Sequence, residues 1–150
     1  MLSKSSKYAI RAVLYLSIHS SVDNKYNPKE VADAIKIPAP FLAKTLQVLT
    51  KRNLISSVRG RNGGFYLTEQ NKLNNLGSIV ESIDGFDKFS DCLLGLPVCS
   101  DVNPCPIHHV VSPLRKQLKY ELSSQTINDL AIEVLEGKTH IFLGLIATNL

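Results

Sequence analysis

Apolar side chains in the first twenty positions recur every three or four residues. They are Tyr8, Ala9, Ala12, Val13 and Leu16. This spacing puts them on one face of a 3.6-residue repeat, so it predicts an amphipathic helix over residues 5–19. A polar stretch at 20–26 separates this helix from the next element.

Start and stop signals predict two further helices. Asn27 can cap a helix, Pro28 suits the first helical position, and Glu30 can complete a capping box. These residues predict a second helix over 28–35, which Pro38 separates from a third helix over 39–52.

Two short apolar segments after the third helix predict a β-hairpin. The strands are expected at 54–58 and 65–67, and the glycine-rich basic stretch at 59–64 favours a tight turn between them. Three helices followed by a basic hairpin are typical of a winged helix-turn-helix. We therefore expect a mainly α fold with a small β-hairpin wing.

The second half of the chain predicts more helices around a long loop. Helices are expected over 73–83, 110–122 and 126–136. The second of them is placed with its start close to Pro113, because proline is tolerated in a first turn. The loop occupies 87–109. An apolar segment at 141–147 is compatible with either a docked strand or a disordered tail.

Charge divides the chain into two regions. Its 150 residues include 44% hydrophobic and 20% charged residues, ordinary values for one compact globular domain. Residues 1–70 hold eleven Lys/Arg and four Asp/Glu, a net +7, whereas residues 71–150 hold six and nine, a net −3. The basic region is a candidate contact surface for a polyanion, with a solvated basic face as the alternative.

Neither a secretion signal nor a membrane span is recognisable in the sequence. Lys4, Lys7 and Arg11 interrupt the N-terminal apolar stretch, and the longest apolar run covers seven residues, 141–147. We therefore expect a cytoplasmic protein without a membrane partner.

The third helix has one apolar face and one polar face. At 100° per residue, Leu42, Leu46 and Leu49 form a narrow inward arc. The opposite side is short, polar and basic, as a helix entering the major groove of DNA requires. It carries Pro40, Ala43, Lys44, Gln47 and Lys51.

Each polar residue of that face suits a contact with double-stranded DNA. Gln47 can bond an adenine edge, Lys44 can reach a guanine or a phosphate, and Lys51 suits a phosphate. Arginine on the hairpin turn can enter a narrow minor groove. The predicted DNA-binding residues are Pro40, Lys44, Gln47, Lys51, Arg59, Arg61, Asn62 and Gly63.

The three cysteines of the chain lie within fourteen residues of the long loop. Cys92, Cys99, Cys105 and His108 form a Cys-x6-Cys-x5-Cys-x2-His pattern among prolines and glycine. The odd number argues against a disulfide framework, and the set suits a soft metal or an iron–sulfur cluster. Buried packing, a zinc site, a metal-free redox switch and a cysteine nucleophile paired with His108 or His109 are the alternatives. The nucleophile lacks any signal for a substrate pocket.

Three motifs together resemble the Rrf2 family of bacterial regulators. They are KYAIRA at 7–12, ISSVRGRNGG at 55–64 and the Cys-x6-Cys-x5-Cys-x2-His pattern, and the likeness extends over residues 1–136. The resemblance implies a homodimeric winged-helix repressor or activator rather than an enzyme. It also implies a palindromic operator and a dimer interface made by the long helix after the cysteine loop.

The resemblance assigns the cysteines to a sensor. Cys92, Cys99 and Cys105 match the family's cluster ligands, and His108 matches the fourth ligand of some members. Other members use an acidic residue where this chain has Lys7, which offers no lone pair. A 2Fe–2S cluster is favoured, 4Fe–4S remains open, and zinc is the alternative occupant. The signal would be iron–sulfur status, redox state or nitric oxide. The alternative function is a zinc-binding or thiol-redox interaction protein without sequence-specific DNA binding.

Overall fold

The computed structural model describes residues 2–141, and the fold is mainly helical with one small hairpin. This confirms the fold class expected from the sequence. In chain order the elements are α1 (Lys4–His19), α2 (Pro28–Ile35), α3 (Ala39–Lys51), β1 (Ser56–Val58), β2 (Gly64–Tyr66), α4 (Glu69–Lys72), α5 (Leu76–Ile83), a 3₁₀ helix (Phe86–Ser90), α6 (His108–Ser124) and α7 (Ile127–Leu135).

Helix α1 lies at the centre of the core and contacts α2, α3, α5 and α7. Its predicted apolar face is buried, except that Tyr8 is partly exposed. The inward arc of α3 is buried too, with Leu42, Leu46 and Leu49 at 0% exposure. Burial of a leucine side chain contributes about 2 kcal/mol, so this arc determines which face of α3 remains outside.

Local signals explain the ends of α2. The Asn27 side chain accepts a hydrogen bond from the Glu30 amide at 2.9 Å, and Glu30 Oε2 accepts one from the Asn27 amide at 2.7 Å. This is the predicted capping box. The helix ends at Ile35, and the next residue, Lys36, has a left-handed φ of 57° that turns the chain toward α3.

The wing is an antiparallel pair in which Ser57 lies opposite Phe65. Tyr26 adds a bridge on the other side of Phe65, with N···O distances of 3.0 and 2.8 Å. Two glycines are required here. A Cβ at Gly63 would lie 2.0 Å from the Val58 carbonyl oxygen, and Gly64 has a φ of +149° where it approaches Tyr26.

The helix predicted over 73–83 is α5, which begins later than expected, at Leu76, and the short α4 precedes the predicted range. Thr68 and Asn71 form a capping box that starts the short α4, and Asn75 caps α5 by accepting from the Ser78 amide at 2.9 Å. Asn71 is buried and also bonds the Asn53 carbonyl. The cap at Asn75 determines where α5 starts, because its side chain satisfies a first-turn amide that has no partner inside the helix.

The long helix begins at His108 rather than near Pro113. A tight turn, in which the His108 amide donates to the Cys105 carbonyl at 3.0 Å, starts α6 five residues early. Pro113 therefore lies inside the helix and leaves the His109 carbonyl without its helical donor. Both residues are exposed, so water can replace that donor.

None of the 17 residues of α6, all of them described, is buried. Of the predicted apolar stripe, Leu114 is 65% exposed, whereas Val111, Leu118 and Leu122 are partly buried. Val110 is 67% exposed and Tyr120 66% exposed. Apart from its contacts with α5 and the 3₁₀ helix, α6 thus presents apolar surface to solvent.

Most of the predicted apolar tail, 142–147, lies outside the described residues. Within residues 2–141 the helices are all too short or too polar to span a bilayer.

Candidate nucleic-acid interface and thiol centre

The outer face of α3 carries the residues predicted to read DNA. Pro40, Lys44, Gln47 and Lys51 are all exposed, because the buried leucine arc lies on the opposite side of the helix. The face is therefore polar, basic and open to a large partner.

Three of the predicted DNA-binding residues line a groove between α3 and the wing. Gln47 and Lys51 line the groove from the helix, and Arg59 lines it from the position just after β1. The remaining lining residues are Thr50, Ser57, Val58, Gly64 and Phe65. Pro40 and Lys44 instead line a separate concavity near the start of α3.

The wing tip extends beyond this groove. Arg61 and Asn62 are exposed at the turn, whereas Gly63 is partly buried. The structure gives Gly63 a conformational role, since a side chain there would collide with the backbone of Val58.

The cations of this surface lack acidic partners. The three ion pairs found among residues 2–141 are Lys72 with Glu69, His108 with Asp101, and Lys138 with Glu136. Lys44, Lys51, Arg59 and Arg61 are therefore unneutralised by any carboxylate of the described chain, which favours a polyanion as their partner.

The three thiols converge at one point. The Sγ atoms of Cys92, Cys99 and Cys105 all lie within 4.8 Å of one another. Two turns bring them together: the Gly95 amide donates to the Cys92 carbonyl at 2.9 Å, and Ser100 pairs with Asn103 between the second and third cysteines. Cys105 is buried, and the other two are partly buried.

The cysteine loop exposes its large apolar side chains instead of burying them. Its large apolar side chains face solvent while the thiols face one another. The exposed residues are Leu93 (65%), Leu94 (54%), Leu96 (46%), Val98 (64%) and Val102 (95%). This arrangement argues against the packing interpretation of the cysteines, because a hydrophobic loop core would bury the leucines first.

Backbone amides and neighbouring thiols perturb the acidity of Cys92 and Cys99. Amide hydrogen bonds from Leu96, and then Leu94, lower the pKa of Cys92 to about 7, with further help from the Cys105 and Cys99 thiols. The Cys105 amide also favours the Cys99 thiolate, but burial and the neighbouring thiols outweigh it and raise the pKa of Cys99. A second thiolate is unfavourable beside the first, and a bound cation would remove that penalty.

His108 joins the thiol group. Its Nδ1 lies 3.2 Å from Cys99 Sγ, while its Nε2 lies 2.8 Å from Asp101 Oδ1. The hydrogen bond from His108 holds the pKa of Asp101 below its usual range, so this residue is an anion at neutral pH. This contact was not expected from the sequence, where its only signal is a carboxylate placed between the second and third cysteines.

The donor set fits a soft metal centre. Three sulfurs and one imidazole nitrogen share a small cavity that Leu93, Ile107 and Val111 help to close. Thiolates prefer iron–sulfur clusters, zinc and other soft ions, and the imidazole is compatible with each.

Comparison with known proteins identifies the family. Residues 2–133 match the family model of Rrf2, described as an iron-dependent transcriptional regulator. The chain belongs to the Rrf2 family. It is 35% identical over 130 residues to an Aquifex aeolicus (strain VF5) protein named as an HTH-type transcriptional regulator, covering 85% of this chain and 89% of that protein.

Other relatives carry more specific names. The chain is 28% identical over 130 residues to the HTH-type transcriptional regulator NsrR of Oceanobacillus iheyensis, covering 86% of this chain and 88% of the relative. It is 27% identical to the regulator IscR of Vibrio parahaemolyticus, covering 99% and 88%. The family and these relatives are transcriptional regulators, and the chain is a regulator of the same type.

Solved structures show the same fold. T. potens IscR superposes with a TM-score of 0.70 at 23% identity, covering 93% of this chain and 91% of that one. CymR, the global cysteine regulator of B. subtilis, superposes with a TM-score of 0.68 at 21% identity, covering 87% and 95%.

Proposed function

We propose that this Rrf2 regulator is a homodimer that binds a palindromic DNA operator, and that an iron–sulfur cluster on Cys92, Cys99, Cys105 and His108 controls its DNA affinity. The observation that carries this proposal is the convergence of three thiols in a loop that leaves its leucines exposed.

Metal coordination would supply the stabilisation that this loop does not gain from burying apolar side chains. The apolar side chains between Cys92 and Cys99 contribute little burial, so hydrophobic packing does not explain a loop folded around its thiols. Bonds from three thiolates would supply the missing stabilisation, as they do in small metal-dependent folds. When bound, an iron–sulfur cluster supplies a centre whose charge and integrity respond to redox chemistry.

The cluster site is connected to the DNA-reading helix through packed elements. His108 is the first residue of α6, and the turn from Cys105 leads directly into it. Helix α6 contacts α5, and α5 contacts both α1 and α3. A change in the loop that shifts the start of α6 can therefore reach the helix that carries Gln47 and Lys51. A coupling of about 1–3 kcal/mol would suffice for regulation.

A second copy of the chain is the partner expected for α6. Val110, Leu114 and Tyr120 are each about two-thirds exposed on one long helix, which is unusual for a helix with no apolar partner. A two-fold interface along α6 would bury them and present two α3 helices to half-sites separated by whole helical turns of DNA.

The DNA contacts follow from the exposed residues. Gln47 faces outward where a base edge can be read, and Lys51 and Arg59 flank it in the groove, where they suit phosphates. Arg61 at the wing tip suits an adjacent minor groove.

A single zinc ion is the second candidate occupant, and one observation favours it. Zinc–sulfur bonds of about 2.3 Å hold tetrahedral ligands close together, and the sulfurs here already lie within 4.8 Å of one another. The regulator would then respond to zinc or to thiol oxidation rather than to cluster state.

Anaerobic purification of the full chain tests the proposal. Wild-type protein should contain iron and acid-labile sulfide in equal amounts and absorb visible light. Cys99→Ala should lose both, and Val98→Ala, a matched change of an exposed side chain next to Cys99, should keep both. Colourless wild-type protein containing stoichiometric zinc would contradict the cluster and favour the second candidate.

A further inference from the structure

We propose that Asp101 is a positioning residue, which holds the His108 ring so that Nδ1 points at the thiol centre. The inference deepens the proposed metal site and rests on it. Asp101 itself contacts no thiol, so its effect is exerted through the imidazole.

The contact geometry determines which ring nitrogen is available. Asp101 Oδ1 lies 2.8 Å from Nε2 of His108, and a carboxylate only accepts, so Nε2 carries the proton. In the neutral ring Nδ1 is then the nitrogen with the free lone pair. That nitrogen lies 3.2 Å from Cys99 Sγ, and His108 lines the same small cavity as the three cysteines.

Burial distinguishes the roles of the two partners. The His108 side chain is 12% exposed and lies inside the thiol cavity, whereas the Asp101 side chain is 76% exposed. An exposed carboxylate contributes little to folding stability. The role of Asp101 is instead to select one tautomer and one orientation of the enclosed His108 ring.

Second-sphere carboxylates of this kind have measurable effects on metal sites. A carboxylate that accepts from the far nitrogen of a ligating histidine fixes the ring and raises its basicity, and loss of such a partner typically weakens metal binding about 10- to 100-fold. The backbone supports the arrangement, since Ser100 and Asn103 form the turn that presents Asp101 to the histidine.

Cobalt(II) titration of the reduced full-length protein tests the inference, because cobalt reports ligand number and type through its visible spectrum. Asp101→Ala should weaken cobalt binding about 10- to 100-fold and move the ligand-field bands toward those of His108→Ala. Asp101→Asn retains a carbonyl oxygen that can accept from Nε2, so it should recover part of the loss.

Asp91→Ala is the matched control. It removes an exposed carboxylate next to Cys92 that has no contact with the imidazole, and it should bind cobalt like the wild type. The double variant Asp101→Ala/His108→Ala should bind no more weakly than His108→Ala alone, because Asp101 acts through the histidine.

Equal affinities for Asp101→Ala and Asp91→Ala would overturn the inference, as would additive losses in the double variant. Failure of the wild type to bind cobalt would also overturn it. The sulfur-to-cobalt charge-transfer band shows whether each variant still assembles its three thiolates. Cobalt binding does not require cluster assembly, so a wild-type protein without iron and sulfide would remove the proposed function and leave this result standing.

Discussion

Replacing Lys51 with alanine should reduce the salt dependence of DNA binding without changing sequence preference. Lys51 is exposed at the end of α3, lines the groove with Arg59, and has no acidic partner among residues 2–141. These features suit a phosphate contact, which positions the protein without reading bases.

The magnitude follows from counting the cations among the predicted DNA-binding residues. Lys44, Lys51, Arg59 and Arg61 give four per protomer. If all eight of a dimer meet phosphates, the plot of log affinity against log salt concentration has a slope of about −7. Lys51→Ala removes two of these contacts, so the slope should become shallower by about 1.8.

Fluorescence anisotropy with a DNA fragment selected by the protein, measured from 50 to 200 mM salt, gives these slopes. Lys88→Ala removes an exposed lysine from the 3₁₀ helix, far along the chain from α3, and should leave the slope unchanged. Gln47→Ala should weaken binding to the preferred sequence and relax base preference at one position of each half-site, with the slope retained.

An unchanged slope in Lys51→Ala would refute the phosphate assignment. A slope that falls equally in Lys88→Ala would show that net charge, rather than the α3 and wing surface, determines binding.

Three further predictions concern stability and thiol reactivity. Burial lowers the pKa of His19 below 6.5, so the unfolded state binds more protons and stability is lost as pH falls through the folded pKa. Urea unfolding at pH 7.5 and 5.5 should therefore show a smaller loss for His19→Gln than for wild type, and equal losses would contradict this. Asn71 is buried and its side chain makes three hydrogen bonds. Asn71→Ala should lower the free energy of unfolding by about 2 kcal/mol, with the exposed Gln70→Ala as a near-neutral control. In reduced, metal-free protein, Cys92 should react with iodoacetamide faster than buried Cys105, since its pKa is about 7; mass spectrometry showing equal rates would be inconsistent with that.

Elements governed by neighbouring residues were predictable from the sequence. The capping box at Asn27 and Glu30, the leucine arc of α3 and the glycine turn of the wing each depend on side chains within a few positions of one another. The start of α5 at Leu76 was locally encoded too, by the cap at Asn75, although the helix was expected to begin at residue 73.

Features governed by tertiary contact were not predictable. The start of α6 at His108 depends on the turn from Cys105, and the rule for proline placed the start near Pro113 instead. The cysteine spacing indicated a shared centre, but which carboxylate meets His108 depends on how the loop folds back at Ser100 and Asn103. The predicted roles of the site residues remain predictions.

The most direct test of cluster control compares DNA affinity before and after cluster removal in one protein preparation. Anaerobic binding to the same operator fragment at fixed salt should differ by about 5- to 150-fold between the cluster-loaded and cluster-free forms. Cys99→Ala, treated in the same way, should show no difference. Equal affinities of the two wild-type forms would contradict the proposal that the thiol centre controls DNA binding.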